Sequence, residues 1–208
     1  MKTSPSLIGL LAAILLSSIS FAAGAPSAKP TDTAMVTATA IFAGGCFWCL
    51  EADFDKLSGV IATESGYTGG KTPNPTYHQV GAGGTGHTEA VRVSYDPAKL
   101  NYQKLVDYFW RHIDPTVKDR QFCDIGSQYR SAIYWQNEAE RKIVEASRDA
   151  LLKSGKLPQV LTEIAAASAF YPAEEYHQDY YKKNPIRYAY YRRGCGRDAR
   201  VHEIWGGK

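Results

Sequence analysis

Segments with the two-residue periodicity of β-strands alternate along this chain with segments of helical periodicity, and their order constrains the fold more than any other feature. The predicted order is β-α-β followed by β-α-β-α-β, beginning with a strand from about Val36 to Ala43. This order predicts an α+β two-layer sandwich, a ferredoxin-like mixed sheet with packed helices. The glycine- and proline-rich segment 68–86 predicts a loop, and Asn184 to Lys208, which has no clear period, predicts a long irregular C-terminal tail.

The other elements follow from their periodicity and from the residues at their ends. Asn137 and Glu140 occupy capping-box positions and Gly155 follows the last periodic residue, so the helix between them has a start and a stop signal. The other predicted strands are VIATESGY, HTEAVRVSYD, QYRSAIYW and QVLTEIAAA, and the other predicted helices are CFWCLEADFDKLS, NYQKLVDYFWRHID and AEEYHQDYY.

The N-terminus has the pattern of an export signal. A short positive start precedes an apolar run from Leu7 to Leu16 that is too short to cross a bilayer, and Ala23 to Ala25 fits a cleavage site. A membrane anchor is the alternative, but no charged stop follows the run. We expect an exported, periplasmic protein without stable membrane association, divided into a signal peptide (1–25), a disordered lead-in (26–35) and a single domain (36–208).

Charge and cysteine content limit the classes of function. The 208 residues carry a formal net charge of +3, so no strong positive field favours nucleic acid, and we expect no nucleic-acid partner. All four cysteines follow the leader, at Cys46, Cys49, Cys123 and Cys195. An oxidising compartment allows two structural disulfides, but a domain of this size does not depend on them, so redox chemistry and metal binding stay open.

The cysteine spacing gives little support to a metal or haem site. Cys46 and Cys49 form a Cys-x-x-Cys pair, but structural zinc needs four ligands, usually in a second matching pair, and the other two cysteines are solitary. No two of the five histidines fall at a metal spacing, and Leu50 stands where a c-type haem motif would need histidine. We therefore expect no metal and no cofactor.

The stretch GGCFWC places Cys46 after a strand and two glycines, at the first turn of a helix. Unpaired backbone N–H groups and the helix dipole at that position are expected to lower the pKa of the thiol and make Cys46 a nucleophile. Phe47 and Trp48 would then form an apolar wall beside the sulfur. The alternative is that Cys46 and Cys49 only belong to the core-facing stripe of the helix.

Glu89 shares one face of a predicted strand with Val91, Val93 and Tyr95, because side chains alternate along a strand. A carboxyl group on an otherwise apolar face would be desolvated, which raises its pKa and makes it a general acid at neutral pH. The alternative places Glu89 at the end of the strand, in water.

Three further side chains lie in loop-like segments where functional groups often collect. Asp124 and Tyr129 lie in a glycine- and serine-containing loop, and Tyr77 lies in the proline-rich NPTYHQV. Phenols are good donors to a small polar oxygen. In the tail, Cys195 stands between two glycines, which predicts a mobile, accessible thiol that can swing toward another.

The motifs resemble those of the peptide methionine sulfoxide reductase A family, in order and over essentially all of Val36 to Pro185. They are GGCFWC, YTGG, NPTYHQV, GTGHTEAVRVSYDP, DIGSQYRSAIY and FYPAEEYHQDYYKKNP. The resemblance implies an α+β sandwich and reduction of the S epimer of methionine sulfoxide, free or in proteins. No domain of the companion reductase type follows, so the R epimer should not be a substrate.

The resemblance also implies roles for the candidate residues. Cys46 would attack and pass through a sulfenic acid, and Glu89 would protonate the sulfoxide oxygen with help from Tyr77 and Tyr129. Asp124 would support the site through water or hydrogen bonds. The two aromatic residues that follow Cys46, Phe47 and Trp48, would hold the methyl group of the substrate.

A second thiol would then condense with the sulfenic acid, and an outside dithiol such as thioredoxin would reduce the disulfide. Many family members have glycine at position 49 and a glycine-rich tail, so the resolving cysteine stays open here. Cys195 is the first candidate because its neighbours make it mobile, Cys49 is the second and Cys123 is the third. We expect a monomer.

Two rival functions remain. The first is a general dithiol oxidoreductase that uses Cys46 and Cys49, although it leaves Glu89 unexplained. The second is a binding module stabilised by zinc or by disulfides.

Overall fold

The computed structural model describes residues 36–206, so the predicted signal peptide and the predicted lead-in lie outside the described residues. The described residues belong to one compact unit. None of the helices between residues 36 and 206 has the length and hydropathy needed to span a bilayer.

The strands are β1 Ala38–Gly44, β2 Val60–Thr68, β3 Thr88–Tyr95, β4 Arg120–Gln121, β5 Asp124–Ile125, β6 Ser131–Trp135, β7 Glu163–Ala166 and β8 Tyr171–Pro172. The helices are α1 Phe47–Phe54, α2 Tyr77–Ala82, α3 Tyr102–Trp110, α4 Glu138–Lys153, α5 Tyr180–Lys183, α6 Pro185–Gly194 and α7 Arg197–Trp205.

Six strands form one mixed sheet in the order β7-β6-β1-β3-β2-β8. All neighbouring pairs are antiparallel except β6 and β7, which are parallel and connected through α4. Strands β4 and β5 form a separate two-stranded sheet. The predicted α+β architecture with a mixed sheet and packed helices is therefore confirmed.

The main core lies between the sheet and helices α1, α3 and α4. The ring of Phe42 on β1 stacks on Phe54 of α1 and Phe109 of α3, with centroid distances of 5.0 Å to each. Val91 and Val93, which alternate with outward-facing residues of β3, pack into the same cluster. The opposite face carries a smaller cluster around Ile41, Ala43, Ala90, Ala132 and Tyr134. The sheet is thus covered mainly on one side, and β1 and β3 lie at its centre.

Two parts of the loop and tail predictions are wrong. The segment 68–86 contains α2, which begins with a capping box between Thr76 and Gln79 that the glycine and proline content obscured. The segment from Asn184 onward contains α6 and α7 rather than an irregular tail.

The inward face of α6 explains why its periodicity was missed. Tyr188, Tyr191 and Arg192 are its half-buried residues, at helical spacing, and an arginine with two phenols gives no apolar period. In α7 the buried residues Arg197 and Trp205 likewise combine a charge with an aromatic ring.

Candidate active site

Cys46 lies at the turn between the central strand β1 and helix α1, as the N-cap residue of that helix. Gly45 has a φ of +80°, and a Cβ there would come within 2.6 Å of the Gln121 side chain, so the turn requires glycine. The carbonyl of Cys46 accepts hydrogen bonds from the N–H groups of Cys49 and Leu50. Cys46 is therefore fixed at the start of the helix, and only 7% of it is exposed.

Glu89 reaches the start of α1 from the adjacent strand β3. Its Oε2 accepts a hydrogen bond from the backbone N–H of Phe47 at 3.0 Å, and the residue is 2% exposed. Burial raises the pKa of the Glu89 carboxyl to about 8, although the hydrogen bond from Phe47 opposes this shift. The carboxyl group is thus mostly protonated at neutral pH, in the desolvated environment that the alternation of β3 predicts.

The two candidate phenols lie near this carboxyl group. Tyr77 is the first residue of α2, and Tyr129 ends a short 3₁₀ turn after β5. Burial raises the pKa of both phenols, and the charge of Glu89 raises both further. Both side chains therefore stay protonated and can donate to an oxygen atom bound beside Glu89.

Asp124 is linked to Cys46 by a residue that the sequence analysis did not select. Its Oδ2 accepts a hydrogen bond from the hydroxyl of Tyr191 at 2.6 Å, and this hydroxyl is also hydrogen-bonded to the Cys46 thiol. Burial raises the pKa of Asp124, against the effects of the Tyr191 hydrogen bond and the charge of Arg197. Tyr191 lies on α6, in the segment expected to be irregular, so no sequence pattern placed it at the site.

Phe47 and Trp48 form one wall of an aromatic pocket. The ring of Trp48 stacks on Tyr180 with a centroid distance of 3.7 Å, and its Nε1 donates a hydrogen bond of 2.9 Å to Nδ1 of His177. The His177 ring lies 5.1 Å from Phe47 and 4.3 Å from Tyr77, measured between centroids. The pocket thus brings together side chains from α1, α2 and the segment before α6.

His177 and Tyr180 are functional candidates that the sequence analysis did not name, although the motif FYPAEEYHQDYYKKNP contains both. Because the indole of Trp48 only donates, Nδ1 of His177 accepts and the imidazole proton lies on Nε2. Burial lowers the pKa of His177, which keeps the ring neutral. Nε2 is buried and has no hydrogen-bond partner in the part of the chain that the structure describes.

Cys49 lies beside Cys46, and the two side chains are hydrogen-bonded to each other. Burial raises the pKa of the Cys46 thiol well above its usual value, and the neighbouring Cys49 and Glu89 add to this. The pKa of Cys49 is lowered by the hydrogen bond with Cys46 and by the charges of Arg197 and Arg192, although burial opposes the shift. The predicted resting thiolate at Cys46 is therefore wrong, because burial outweighs the helix N-terminus.

Two arginines from the C-terminal helices hold the turn that carries the cysteines. Arg197 donates hydrogen bonds to the carbonyl of Gly44 at 3.0 Å and to that of His112 at 2.9 Å. Arg192 lies 3.4 Å from the carbonyl oxygen of Cys49 and pairs with the buried Asp53 at 3.0 Å. These contacts tie α6 and α7 to both ends of the cysteine turn.

Cys195 forms a disulfide with Cys123 in this structure, and Cys46 and Cys49 are free thiols. Cys195 and Gly196 lie between α6 and α7, and Gly196 adopts a φ of +69°. The predicted mobility of Cys195 is thus not observed, because a disulfide and two helices hold it. Of the three candidates for resolution, only Cys49 is free and hydrogen-bonded to Cys46.

Comparisons with known proteins identify the family. The family model for peptide methionine sulfoxide reductase matches residues 38–208. The chain belongs to the peptide methionine sulfoxide reductase family. The MsrA 2 protein of Caulobacter vibrioides is 52% identical over 178 residues, which cover 86% of this chain and 90% of that protein. The expected family resemblance is confirmed.

Solved structures of the family share the fold. Mxr1 from Saccharomyces cerevisiae in its reduced form has a TM-score of 0.67 and 33% identity, over 74% of this chain and 88% of that one. Methionine sulfoxide reductase A of Corynebacterium diphtheriae has a TM-score of 0.65 and 40% identity, over 72% of this chain and 76% of that one. Membership of this family makes the chain an oxidoreductase with peptide-methionine (S)-S-oxide reductase activity.

Proposed function

We propose that the enzyme reduces methionine-S-sulfoxide, free and in proteins, through a sulfenic acid on Cys46, and that it repairs oxidised exported proteins. The observation that carries this proposal is the Glu89 carboxyl, buried and bound to the N–H group that follows Cys46, with a pKa that burial raises to about 8. A sulfoxide releases its oxygen only when that oxygen is protonated. The reaction therefore needs a nucleophile for the sulfur and a proton for the oxygen, and Cys46 and the adjacent Glu89 supply them.

The chemical step uses these groups in turn. The thiolate of Cys46 attacks the sulfoxide sulfur while Glu89 protonates the oxygen, with Tyr77 and Tyr129 donating hydrogen bonds to it. The sulfur–oxygen bond of the substrate breaks, the protonated oxygen forms a bond to the Cys46 sulfur, and methionine leaves while Cys46 holds the hydroxyl group as a sulfenic acid. The substrate sulfur is reduced and the Cys46 sulfur is oxidised, so the electrons balance.

The aromatic pocket orients the substrate. Phe47 and Trp48 would hold the methyl group, so that one epimer presents its oxygen to Glu89. The R epimer in the same pocket would direct its oxygen away from the acid. Selectivity for one epimer is the expected consequence, and the activity of the family makes it the S epimer.

Cys49 is the resolving cysteine in this proposal. It is free, hydrogen-bonded to Cys46, and its pKa is lowered, which favours the thiolate that attacks a sulfenic acid. A sulfur–sulfur bond then forms between the two residues and the sulfenic oxygen leaves as water. Cys195 is occupied by its disulfide with Cys123.

An outside dithiol such as thioredoxin completes the cycle by reducing the new disulfide. The chain would act as a monomer. Its role in repair outside the cytoplasm rests on the signal-peptide pattern of residues 1–25.

Turnover of separated S and R epimers, with dithiothreitol as reductant, tests the proposal. Wild type should reduce the S epimer only, and Cys46→Ser should reduce neither. If the folded wild-type enzyme leaves both epimers unchanged, the reductase mechanism is excluded. A thiol count and a metal analysis of the same protein test the zinc-stabilised alternative.

A dithiol oxidoreductase is the second candidate, because Cys46 and Cys49 are hydrogen-bonded at the start of a helix. Glu89→Gln discriminates between the two. It should abolish most sulfoxide reduction and leave exchange with small disulfides largely intact if the reductase mechanism is right. Equal loss of both activities would favour the dithiol function.

A further inference from the structure

Tyr191 connects the nucleophile to a half-buried carboxyl group, that of Asp124. Its hydroxyl donates a 2.6 Å hydrogen bond to Asp124 Oδ2 and is also hydrogen-bonded to the Cys46 thiol. The edge of its ring meets Trp48, with a centroid distance of 5.8 Å and an interplanar angle of 77°. A tyrosine from the last helices of the chain therefore contacts the reacting sulfur, the pocket wall and a second acid.

The reaction needs such a contact because Cys46 is a thiol at rest. Burial raises its pKa, so the proton must leave before the sulfur attacks. Its two hydrogen-bond neighbours are the sulfur of Cys49 and the hydroxyl of Tyr191. The hydrogen bond with Cys46 and the charges of Arg197 and Arg192 lower the pKa of Cys49, whereas burial raises the pKa of Asp124. Of the two neighbours, Tyr191 is the one whose hydroxyl is bonded in turn to a carboxyl group that can accept the proton, Asp124.

We propose that Tyr191 is a further catalytic residue: its hydroxyl accepts the proton of Cys46 Sγ while it passes its own proton to Asp124 Oδ2. The S–H bond breaks and an O–H bond forms on Asp124. The Tyr191 hydroxyl is restored and now donates to the thiolate. Glu89 loses one proton to the substrate oxygen and Asp124 gains one from Cys46. The number of protons on the two carboxyl groups together is therefore unchanged.

The fold holds both ends of this path in place. Asp124 follows Cys123 in the chain, and Tyr191 lies one helical turn before Cys195, so the disulfide joins the segments that carry the two hydrogen-bonded groups. Arg192, next to Tyr191, pairs with Asp53 of α1. Groups fixed in this way need little rearrangement when the proton moves.

Tyr191→Phe tests the proposal, because it keeps the ring against Trp48 and removes the hydroxyl. Tyr190→Phe is the matched control, since Tyr190 lies on the same helix and is 83% exposed. The enzyme with free Cys46 and Cys49 and its disulfide intact can reduce one equivalent of sulfoxide without added reductant. Single-turnover methionine formation at pH 7 should slow roughly 10- to 100-fold in Tyr191→Phe and stay unchanged in Tyr190→Phe.

A second readout does not depend on turnover. The alkylation rate of Cys46 by iodoacetamide, separated from that of Cys49 by peptide mass spectrometry, should fall about tenfold at pH 7 in Tyr191→Phe. The pH dependence of this alkylation rate should shift to higher pH, which a merely structural change would not produce.

Asp124→Asn keeps the phenol and removes the base, so it should slow the same steps. The double variant should be no slower than the slower single variant.

Three results would overturn the inference. They are a Tyr191→Phe rate within twofold of wild type, unchanged alkylation of Cys46, or additive effects of the two substitutions. The inference rests on the proposed function, but the alkylation test does not depend on that function. If wild type fails to reduce the S epimer, the proposed function fails, and the alkylation comparison still decides whether Tyr191 deprotonates Cys46.

Discussion

The carboxyl group of Glu89 and the backbone nitrogen of Phe47 are joined by a hydrogen bond of 3.0 Å. This bond satisfies an N–H group at the start of α1 and fixes the acid one residue from Cys46. The ring of Phe47 is buried and packs against the rings of Tyr77 and His177. One residue therefore positions the acid through its backbone and joins the aromatic cluster through its side chain.

Glu89 should make the enzyme less stable as the pH rises. An unfolded glutamate titrates near 4.3, whereas the folded pKa is about 8, so between these values the folded state holds the extra proton. The free energy of unfolding is highest below the unfolded pKa and falls as the pH rises through this window. Glu89→Gln should therefore be more stable than wild type at pH 8, by roughly 3 to 5 kcal/mol.

Urea unfolding of both proteins between pH 4 and 9 measures this effect. Glu138→Gln on the exposed start of α4 is the control and should follow wild type. Curves for wild type and Glu89→Gln that stay parallel across the window would contradict the burial of a neutral acid. The activity of wild type should also decline above about pH 8, where Glu89 ionises.

Cys49→Ser should separate reduction of the substrate from resolution. The variant should form about one equivalent of methionine per chain at a rate close to wild type, because Cys46 is the thiol that reacts in that step. The sulfenic acid should then persist and react with dimedone, and turnover with thioredoxin should fall at least about tenfold. Mass spectrometry of wild type after one turnover should show a Cys46–Cys49 disulfide. Prompt loss of the sulfenic acid in Cys49→Ser would assign resolution to another thiol.

Most elements of the sheet could be predicted from the sequence, because their signals are local. The alternation of β3 placed Glu89 among buried residues, and the cap at Asn137 fixed the start of α4. The placement of Cys46 behind Gly45 likewise follows from a turn that only glycine can make. Apolar periods and caps are properties of neighbouring residues, so one sequence suffices to find them.

The rest of the site depends on contacts between distant parts of the chain. Tyr191 meets Asp124 across 67 positions, and Arg197 meets Gly44 across 153. Neither contact leaves a local signal, since the inward faces of α6 and α7 are formed by arginines and phenols. The prediction for the pKa of Cys46 is wrong because burial raises this pKa, and the sequence around Cys46 does not reveal how deeply the thiol is buried.

The Cys123–Cys195 disulfide should stabilise the fold without serving as the electron carrier. It closes a loop of 72 residues, so the Cys123→Ser/Cys195→Ser double variant should lose about 2 to 4 kcal/mol of unfolding free energy. Turnover with thioredoxin should continue, since Cys46 and Cys49 remain. Differential scanning calorimetry and the coupled assay measure the two effects. A double variant with unchanged stability that stops after one turnover would make Cys195 or Cys123 the resolving residue instead.

Arg197 should be the largest single contributor among the C-terminal charges. Its guanidinium is 2% exposed, bonds to the carbonyls of Gly44 and His112, and lies 3.6 Å from Asp53. Arg197→Met removes these bonds and leaves the buried Asp53 with Arg192 and Lys56 as ion-pair partners. Because removing one member of a buried ion-pair network is costly, the free energy of unfolding should fall by about 3 to 5 kcal/mol.

Arg193→Met is the matched control, because Arg193 lies on the exposed face of α6. It should change stability by less than about 0.5 kcal/mol. The loss in an Asp53→Asn/Arg197→Met double variant should be smaller than the sum of the two single losses, since both members of the pair are removed together. Urea denaturation of wild type, Asp53→Asn, Arg197→Met and the double variant provides the cycle. A loss below about 1 kcal/mol in Arg197→Met would show that the backbone bonds to Gly44 and His112 contribute little and that packing alone holds α7 against the cysteine turn.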